Sequence, residues 1–436
     1  MSYSETDIKF TSFRSSNLEF KCFLIAVLFL ASAPFISCLF FLYPLYKGII
    51  NSKSNIFKDK INQIFIISSL IILLRSIVST FVIDNRLNLL TPSLSLAGMA
   101  NWIPLFACYV GFNPYLDNEF KRKKIIKFFI AGTIPVLISF IGQYWFDWYG
   151  PFEILNGLIK WFQRPLTPTN QNVTGLFSNP NYAGVWLSMM LPLSMGLIKE
   201  KLYLKEFFKS KILFLIIIFI STSIILTNSR NAWIGLLITV TLLLGRKSLR
   251  WYLPLIIFIL VFILSSFLPF IPYEISAFTQ KFVPDIFQNK FSEIILNLKT
   301  YPRLDIWSNA IFFIFKKPIF GWGANSFPSL YFLKTGLSNS HTHNLFLELS
   351  ISYGLIVSIL IFGAIIYILY KSFLLIFLRN QNLSLTEKGW WVAAFLFFFS
   401  HLYDVLIYDI RINIASWIFL IGLRNTFKNY KKSPQE

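Results

Sequence analysis

Apolar segments of membrane-spanning length alternate with short polar linkers along almost the whole chain. A transmembrane helix needs about 20 consecutive, mostly apolar residues. That length predicts eleven spans, at residues 22–45, 62–82, 95–113, 125–146, 182–198, 211–228, 231–245, 252–270, 345–370, 389–404 and 411–424. The predicted fold is therefore all-α, a polytopic bundle of membrane helices.

Basic residues in the linkers predict how these spans are oriented, because Lys and Arg are enriched in cytoplasmic loops. The basic linkers alternate with the others, at residues 121–124, 199–211, 246–247, 371–388 and 424–432. All of these are predicted to be cytoplasmic. The extracytoplasmic face then receives residues 147–180, 227–231, 271–342 and 404–409.

The N-terminal end allows two topologies. The lysines between residues 47 and 60 also indicate a cytoplasmic linker, which puts residues 1–20 outside if 22–45 crosses once. Two short, tilted helices broken near Pro34 would instead give twelve spans with both termini inside. The first twenty residues are mixed and polar, without the basic start and short apolar core of a cleavable signal peptide. Eleven and twelve transmembrane helices both stay open.

Composition excludes a soluble globular protein. Hydrophobic residues make up 55% and charged residues 14% of the chain, and the mean hydropathy is +0.61. The formal charge of +20 lies in the linkers, where it sets topology and attracts anionic headgroups, so no nucleic-acid partner is implied. The three cysteines lie in apolar segments without paired spacing, which indicates neither a disulfide framework nor a metal site.

Three regions follow from this pattern: an N-terminal transmembrane bundle (1–270), a long extracytoplasmic loop (271–342) and C-terminal transmembrane helices with a cytoplasmic tail (343–436). Within the loop, apolar residues from Leu304 to Ile314 recur at helical spacing. Pro318 and the glycines at 321 and 323 end that helix. The loop is therefore predicted to form a small helical cap.

The candidate chemistry centres on His343, where the polar cap meets an apolar segment expected to be one long helix. Histidine has a near-neutral pKa, so His343 could act as a general base. The alternative is that its side chain only makes a structural hydrogen bond. Asn344, which follows it directly, is a candidate substrate contact, and Gly354 would let another helix approach closely. His341 is expected to orient the site or contact substrate. A metal site is disfavoured, because no cysteine and few carboxylates stand nearby in sequence.

Two arginines are predicted on the same face. Arg230 begins a span on the extracytoplasmic side, where basic anchors are uncommon, although a snorkelling anchor is the alternative. Arg303 begins the cap helix, where a cation opposes the helix dipole; its alternative is a local ion pair with Asp305. Two guanidinium groups and one imidazole favour a phosphorylated substrate. The sequence contains neither a P-loop nor a Rossmann fingerprint, so an activated lipid diphosphate is the expected donor.

Several motifs resemble the O-antigen ligase and O-antigen polymerase family of bacterial inner-membrane proteins. They are the segments 303–307 and 318–323, His343 and Asn344 with a glycine eleven residues after the histidine, and the earlier segments 177–184 and 228–230. The resemblance covers roughly residues 170–425.

That resemblance implies a metal-independent glycosyltransferase without a cofactor, which uses an undecaprenyl-diphosphate-linked glycan on the periplasmic face of the inner membrane. It implies that His343 is the general base and that Arg230 and Arg303 hold the diphosphate. Asn181 lies in one of the family-like segments and is a candidate substrate contact. Asp404 is another, because the family can have an acidic group near the mouth of a late span, although a helix-end carboxylate is favoured.

Arg75 lies in mid-span and must face the bundle interior or a water pocket. It is assigned to substrate binding through the lipid phosphate, and an ion pair with Asp404 would explain it as well.

The acceptor stays open. A lipid A-core sugar, favoured by the long segment 271–342, would make the protein a ligase, whereas Val357 departs from the small, Tyr or Thr residue of ligases. Another carrier-linked glycan would make it a polymerase, and a protein hydroxyl an oligosaccharyltransferase. A membrane transporter, such as one associated with bicarbonate uptake, is the alternative from another class; it predicts internal repeats and midplane charges. A non-catalytic scaffold predicts that Arg230, Arg303 and His343 lie far apart.

Overall fold

The computed structural model describes residues 18–81, 92–245, 250, 253–254, 257–258, 261–262, 265, 271–281, 302–379 and 383–430. These residues are predominantly helical. Their helices are α1 (Leu18–Phe29), α2 (Pro34–Ile56), α3 (Lys60–Phe81), α4 (Pro92–Met99), α5 (Ile103–Gly111), α6 (Glu119–Trp145), α7 (Pro180–Tyr203), α8 (Phe207–Leu226), α9 (Arg230–Leu244), α10 (Tyr273–Gln280), α11 (Pro302–Lys316), α12 (Phe327–Thr335), α13 (Leu345–Tyr353), α14 (Leu355–Phe373), α15 (Leu385–Ser400) and α16 (Ile410–Tyr430). A short antiparallel pair, β1 (Phe152–Ile154) and β2 (Ile159–Trp161), lies in the segment between α6 and α7. The expectation of an all-α polytopic bundle is confirmed.

Helix α7 forms the centre of the bundle and packs against α8, α9 and α15. Its Trp186 is fully buried, and the indole donates a hydrogen bond to the Thr133 hydroxyl of α6 at 3.1 Å. Gly184 allows a close approach between α7 and α9, because a Cβ there would lie 2.7 Å from the Cβ of Ala232 in α9. The first turns of α7 and α9 are thereby held side by side.

The linkers predicted to be cytoplasmic meet at one end of the bundle. Buried Arg122 forms an ion pair with Glu387 at 2.9 Å, so the start of α6 is fixed to the start of α15. Asp59, between α2 and α3, pairs with Lys428 near the end of α16 at 3.2 Å. The segments predicted to be extracytoplasmic meet at the opposite end, where the side chain of Asn181 contacts Asp404. The alternation of basic linkers therefore corresponds to two distinct ends of the fold.

The N-terminal apolar segment is a hairpin of two helices. The chain breaks between α1 and α2 just before Pro34, and the two helices pack against each other. The Ser37 hydroxyl donates to the Ala26 carbonyl at 2.7 Å, and the rings of Phe23 and Phe41 lie 5.3 Å apart. The break that the twelve-span alternative places near Pro34 is confirmed; the number of spans and the side of each terminus stay predictions.

The single helix expected from Leu345 to Tyr370 is wrong, because it is broken at Gly354. This glycine has φ +91°, a left-handed conformation that favours glycine. A Cβ there would lie 1.9 Å from the carbonyl oxygen of Ile319, so the glycine admits a loop of the cap rather than another helix. The amide of Leu355 donates to the carbonyl of Pro318 at 2.7 Å. His343 therefore precedes a nine-residue helix, α13, and the long apolar helix begins only at α14.

Six described helices are long and apolar enough to cross a membrane: α2, α3, α6, α7, α8 and a segment from Leu355 to Arg379. That number is lower than the eleven or twelve spans predicted, for identifiable reasons. The N-terminal segment and the segment after the histidines are each divided into two helices, and residues 95–113 are divided between α4 and α5. Other apolar helices, such as α9, are shorter than a membrane span. Most of the span predicted at 252–270 lies outside the described residues.

The cap confirms the helix predicted from the apolar spacing at residues 304–314, which is α11. Together with α12 it forms a small hydrophobic core that includes Ala310 and Phe327. The loop after α11 continues onto the break between α13 and α14, where the Trp322 amide donates to the carbonyl of Ile351 at 2.7 Å. The cap is thereby fastened to the helix that follows the histidines.

Candidate active site

A tight loop carries both histidines between the cap and α13. Asn344 is the N-cap of α13, since its side-chain oxygen accepts a hydrogen bond from the Leu347 amide at 3.1 Å. Its amide nitrogen donates to the carbonyl of Leu402 at 3.2 Å. Asn344 therefore ends the loop and ties it to the segment after α15, and its contact with substrate stays a prediction.

Asp404 lies at the centre of the polar cluster. Its Oδ1 is 3.3 Å from Nδ1 of His343, and its Oδ2 accepts from Nδ2 of Asn181 at 2.8 Å. The Val405 amide also donates to Oδ1, at 2.9 Å. Burial opposes ionisation, but the hydrogen bond from His343, the nearby His341 and the Val405 amide together hold the pKa of this carboxyl below its usual value. Asp404 is therefore a buried, ionised acceptor rather than a plain helix-end carboxylate.

The hydrogen bonds fix a tautomer for each histidine. An ionised carboxylate only accepts hydrogen bonds, so Nδ1 of His343 donates to Asp404 and a neutral ring keeps the lone pair of Nε2. His343 has φ +53°, unusual for a residue with a side chain. His341 is the reverse case, because its Nδ1 accepts from the His343 amide at 3.2 Å and its proton is then on Nε2. Of the two rings, His343 is the one able to accept a proton at Nε2.

Burial and charge keep His341 neutral. Burial, the neighbouring His343 and the positive charge of Arg303 lower its pKa to about 4, against a weaker opposite effect of Asp404. Its ring contacts that of His343, with centroids 4.3 Å apart. These contacts favour an orienting role for His341.

His341, His343 and Asp404 together offer three possible metal-ligand atoms within 4.8 Å of one another. The sequence argument considered only carboxylates near the histidines along the chain, whereas the fold brings in Asp404 from 61 residues away. The tautomer of His341 opposes coordination. Its Nε2, 3.8 Å from Asp404, carries the proton as long as Nδ1 accepts the His343 amide, and a protonated nitrogen cannot ligate.

A cavity of about 450 Å³ opens beside this cluster. Residues from α7, α9, α11, their flanking loops and the segment after α15 line it: Asn172, Asn181, Thr227, Asn228, Arg230, Asn231, Arg303 and Tyr403, together with Pro180 and Ile234. Asn181 belongs to both sites, since it lines the cavity and donates to Asp404. The two predicted arginines and the histidine pair therefore meet in one region.

Both arginines lie in the first turn of a helix, α9 for Arg230 and α11 for Arg303. Within the described part of the chain, neither forms an ion pair with a carboxylate. The ion pair considered for Arg303 does not form, because Asp305 instead accepts from the Tyr331 hydroxyl at 2.7 Å. A cation at a helix N-terminus is repelled by the positive end of the helix dipole. A bound anion would interact favourably with the arginine and with the helix N-terminus. The cavity thus has the charge that an anionic ligand requires.

Arg75 is the predicted site residue that the structure does not bring here. It lies on α3 and is absent from the residues that line the cavity. It also does not pair with Asp404, whose neighbours are His343, His341, Asn181 and the Val405 amide.

Sequence reasoning missed a second layer behind the histidines. Glu348 is buried and accepts from the Thr342 amide at 2.9 Å and from the Tyr408 hydroxyl at 3.1 Å. Burial raises its pKa in spite of these hydrogen bonds. Trp307 of α11 donates from Nε1 to the Thr342 carbonyl at 3.0 Å. The only available signal was that Glu348 is the sole charge in a long apolar stretch.

Residues 214–362 match the protein family model described as O-antigen ligase. Over this part of the chain, the resemblance to the O-antigen ligase and polymerase family is confirmed. The O-antigen ligase match includes Arg230, Arg303, His341, His343 and Asn344. No curated protein matches the chain with significant similarity.

Asn181 and Asp404 lie outside the O-antigen ligase match, on either side of it. They nevertheless contact the histidines and the cavity inside it. The candidate site is therefore built from the matched region together with α7 and the segment after α15.

Proposed function

We propose that the protein is an O-antigen ligase-like glycosyltransferase that moves a glycan from undecaprenyl diphosphate to a hydroxyl acceptor. The acceptor we favour is a sugar of the lipid A core, and the site faces the periplasm at the bacterial inner membrane. One observation supports this most strongly: Asn181 joins the His343–Asp404 pair to a cavity whose two arginines form no ion pair with any described carboxylate. Anion binding and proton acceptance are thereby available side by side.

Each charged or titratable side chain of the site has one role in the proposed reaction. Arg230 and Arg303 bind the diphosphate, and their guanidinium groups stabilise the charge that develops as the bond between the sugar and the diphosphate oxygen breaks. The acceptor hydroxyl attacks the same sugar carbon, forms the new glycosidic bond and gives its proton to Nε2 of His343. Asp404 stabilises the imidazolium and holds the ring through Nδ1. The products are the glycosylated acceptor and undecaprenyl diphosphate, and His343 then loses its proton.

Two arginines supply the positive charge that a divalent cation supplies in many diphosphate-using enzymes. We therefore propose metal-independent transfer, in agreement with the His341 tautomer, which opposes coordination. Transfer should continue in EDTA.

The first experiment is a transfer assay with purified full-length protein, undecaprenyl-diphosphate-linked glycan and a lipid A-core acceptor. His343→Ala should remove transfer, and Arg230→Lys should lower it strongly, because an ammonium group cannot reproduce the bidentate fork. Arg164→Lys is the matched control, since Arg164 is exposed in the segment between α6 and α7 and does not line the cavity. Normal transfer by His343→Ala would eliminate the general-base role.

The same assay distinguishes the ligase from a polymerase. Replacing the lipid A-core acceptor with a second carrier-linked glycan should stop transfer by a ligase and sustain it in a polymerase. The absence of His343-dependent transfer to any acceptor would favour a transporter or a scaffold, although the convergence of the two arginines and His343 in one region argues against the scaffold.

A further inference from the structure

Arg75 is a cation within an apolar span and remains unexplained by the site above. It lies on α3, in the candidate span Lys60–Ser79, one helical turn before the end of that span. The side chains around it on the outer face of α3 are apolar and exposed, including Leu74 at 62% and Val78 at 47%. Placing a guanidinium charge in such an apolar environment costs free energy unless an anion or water interacts with it.

The described residues supply no anion to Arg75. Its Nε is buried and has no hydrogen-bond acceptor, and no described carboxylate lies within ion-pair distance. Asp404, the partner considered from sequence, is occupied elsewhere. Arginine does not lose its charge in proteins, so the missing acceptor must come from outside this part of the chain.

The cap loop approaches the guanidinium group of Arg75 at Gly323. This glycine has φ +108°, and a Cβ at that position would lie 2.8 Å from Oγ of Ser79 and 3.8 Å from Nη2 of Arg75. Ser79 stands one turn after Arg75 and its hydroxyl already donates to the Arg75 carbonyl at 2.9 Å. The guanidinium group therefore lies close to the cap loop, beside an exposed apolar helix surface.

The position of Arg75 along α3 indicates which anion binds to it. From Arg75 to the end of α3 at Phe81 the helix rises about 9 Å, which a long arginine side chain can largely span. Lipid phosphates lie at this boundary between apolar and polar regions, and a guanidinium fork matches their oxygens. We propose that Arg75 binds the phosphate group of a lipid, at a site separate from the cavity of Arg230 and Arg303.

The test measures lipid binding by the purified full-length protein in detergent, with native mass spectrometry or a lipid-dependent thermal shift. Phosphatidylglycerol is the phospholipid probe, and diacylglycerol with the same chains is its phosphate-free counterpart. Arg75→Leu suits the apolar surroundings and should fold, yet bind phosphatidylglycerol roughly tenfold or more weakly. Arg75→Lys should bind with intermediate strength. Arg379→Leu is the matched control, because Arg379 is an exposed arginine in the segment after α14.

Two further probes identify the source of the phosphate. Inorganic phosphate in place of lipid should have no comparable effect, and equal binding of it would overturn the lipid assignment. The affinity for a bisphosphorylated glucosamine-disaccharide lipid is then compared with the affinity for phosphatidylglycerol. Tighter binding of the disaccharide lipid would indicate that the site binds the acceptor lipid. Tighter binding of phosphatidylglycerol would indicate that it binds a lipid of the surrounding bilayer.

Unchanged phosphatidylglycerol binding in Arg75→Leu, or equal binding of diacylglycerol, would overturn the proposal and leave Arg75 as a snorkelling anchor. Because no glycan is transferred in these measurements, that failure would be distinct from a failure of the proposed transferase function.

Discussion

The indole nitrogen of Trp307 donates a hydrogen bond to the backbone carbonyl of Thr342, 3.0 Å away. Trp307 lies one helical turn after Arg303 on α11, and Thr342 lies between the two histidines. One hydrogen bond thus connects the helix that carries a phosphate-binding candidate to the loop that carries the proposed base. The relative placement of charge and base depends on this contact.

We therefore expect Trp307→Phe to slow transfer by about five- to tenfold, as loss of roughly 1 kcal/mol of buried hydrogen bonding would predict. The matched control is Trp322→Phe, which loses an equivalent hydrogen bond from Nε1 to the Phe313 carbonyl, at 2.9 Å, within the cap itself. Initial rates of both variants, at equal amounts of folded protein, provide the measurement. An equal loss in the two variants would indicate general weakening of the cap rather than the specific link to the histidines.

Glu348 binds the other backbone group of Thr342, because its carboxylate accepts a hydrogen bond from the Thr342 amide. Glu348→Ala should reduce transfer by at least tenfold, because it leaves the Thr342 amide and the Tyr408 hydroxyl without their buried acceptor. Glu348→Gln should remain within a few-fold of the wild type, since an amide oxygen can still accept from Thr342. Steady-state rates of the two variants separate positioning from charge. Equal inactivity of both would mean that the negative charge itself is required.

Asp404→Asn should lower kcat by about 10²- to 10⁴-fold, by analogy with the loss of the acidic partner of a catalytic histidine. An amide nitrogen facing Nδ1 of His343 would donate to it, so the ring proton would move to Nε2 and the base would be lost. The KM for the lipid diphosphate should change little, because both arginines stay in place. A large rise in that KM with an unchanged kcat would assign Asp404 to substrate binding instead.

Acidification should destabilise the protein in part through His341. Its pKa is about 4 in the folded state against an ordinary value of 6.5, so the unfolded chain binds the additional proton between these values. This contribution to stability is complete above about pH 6.5 and is lost as the pH falls towards 4. Thermal unfolding of the protein in detergent from pH 4 to 7 should show a midpoint that falls with acidification. His341→Asn should make that fall smaller, and an unaltered pH profile would contradict the assigned burial of the ring.

Local sequence signals predicted the parts of the site that lie close together along the chain. The apolar spacing after Arg303 predicted α11, and the alternating basic linkers separated the two ends of the bundle. These features depend on the helical period and on charge, both of which are properties of short segments. The two arginines were expected to share a face with His343, and the fold brings all three to the same end.

The remaining parts depend on contacts between distant segments. Asp404 is 61 residues from His343 and 223 from Asn181, so its role is visible only after the helices pack. The layer formed by Glu348, Tyr408 and Trp307 has the same origin. The break at Gly354 was missed because a lone glycine within an apolar run is compatible with a continuous helix. What breaks it is the approach of the Ile319 carbonyl from the cap.

That approach makes Gly354 a sharp test of the fold. Gly354→Ala should reduce stability by at least about 2 kcal/mol, because alanine is strained at φ +91° and its Cβ would meet the Ile319 carbonyl oxygen. Gly363→Ala is the matched control on the neighbouring helix α14, where a Cβ would have no atom within 4 Å and alanine is the better helix former. Thermal unfolding and yield in detergent should separate the two variants clearly. If Gly354→Ala were as stable as Gly363→Ala, the cap would not contact the helix break as described, and the placement of Arg303 beside the histidines would lose its structural support.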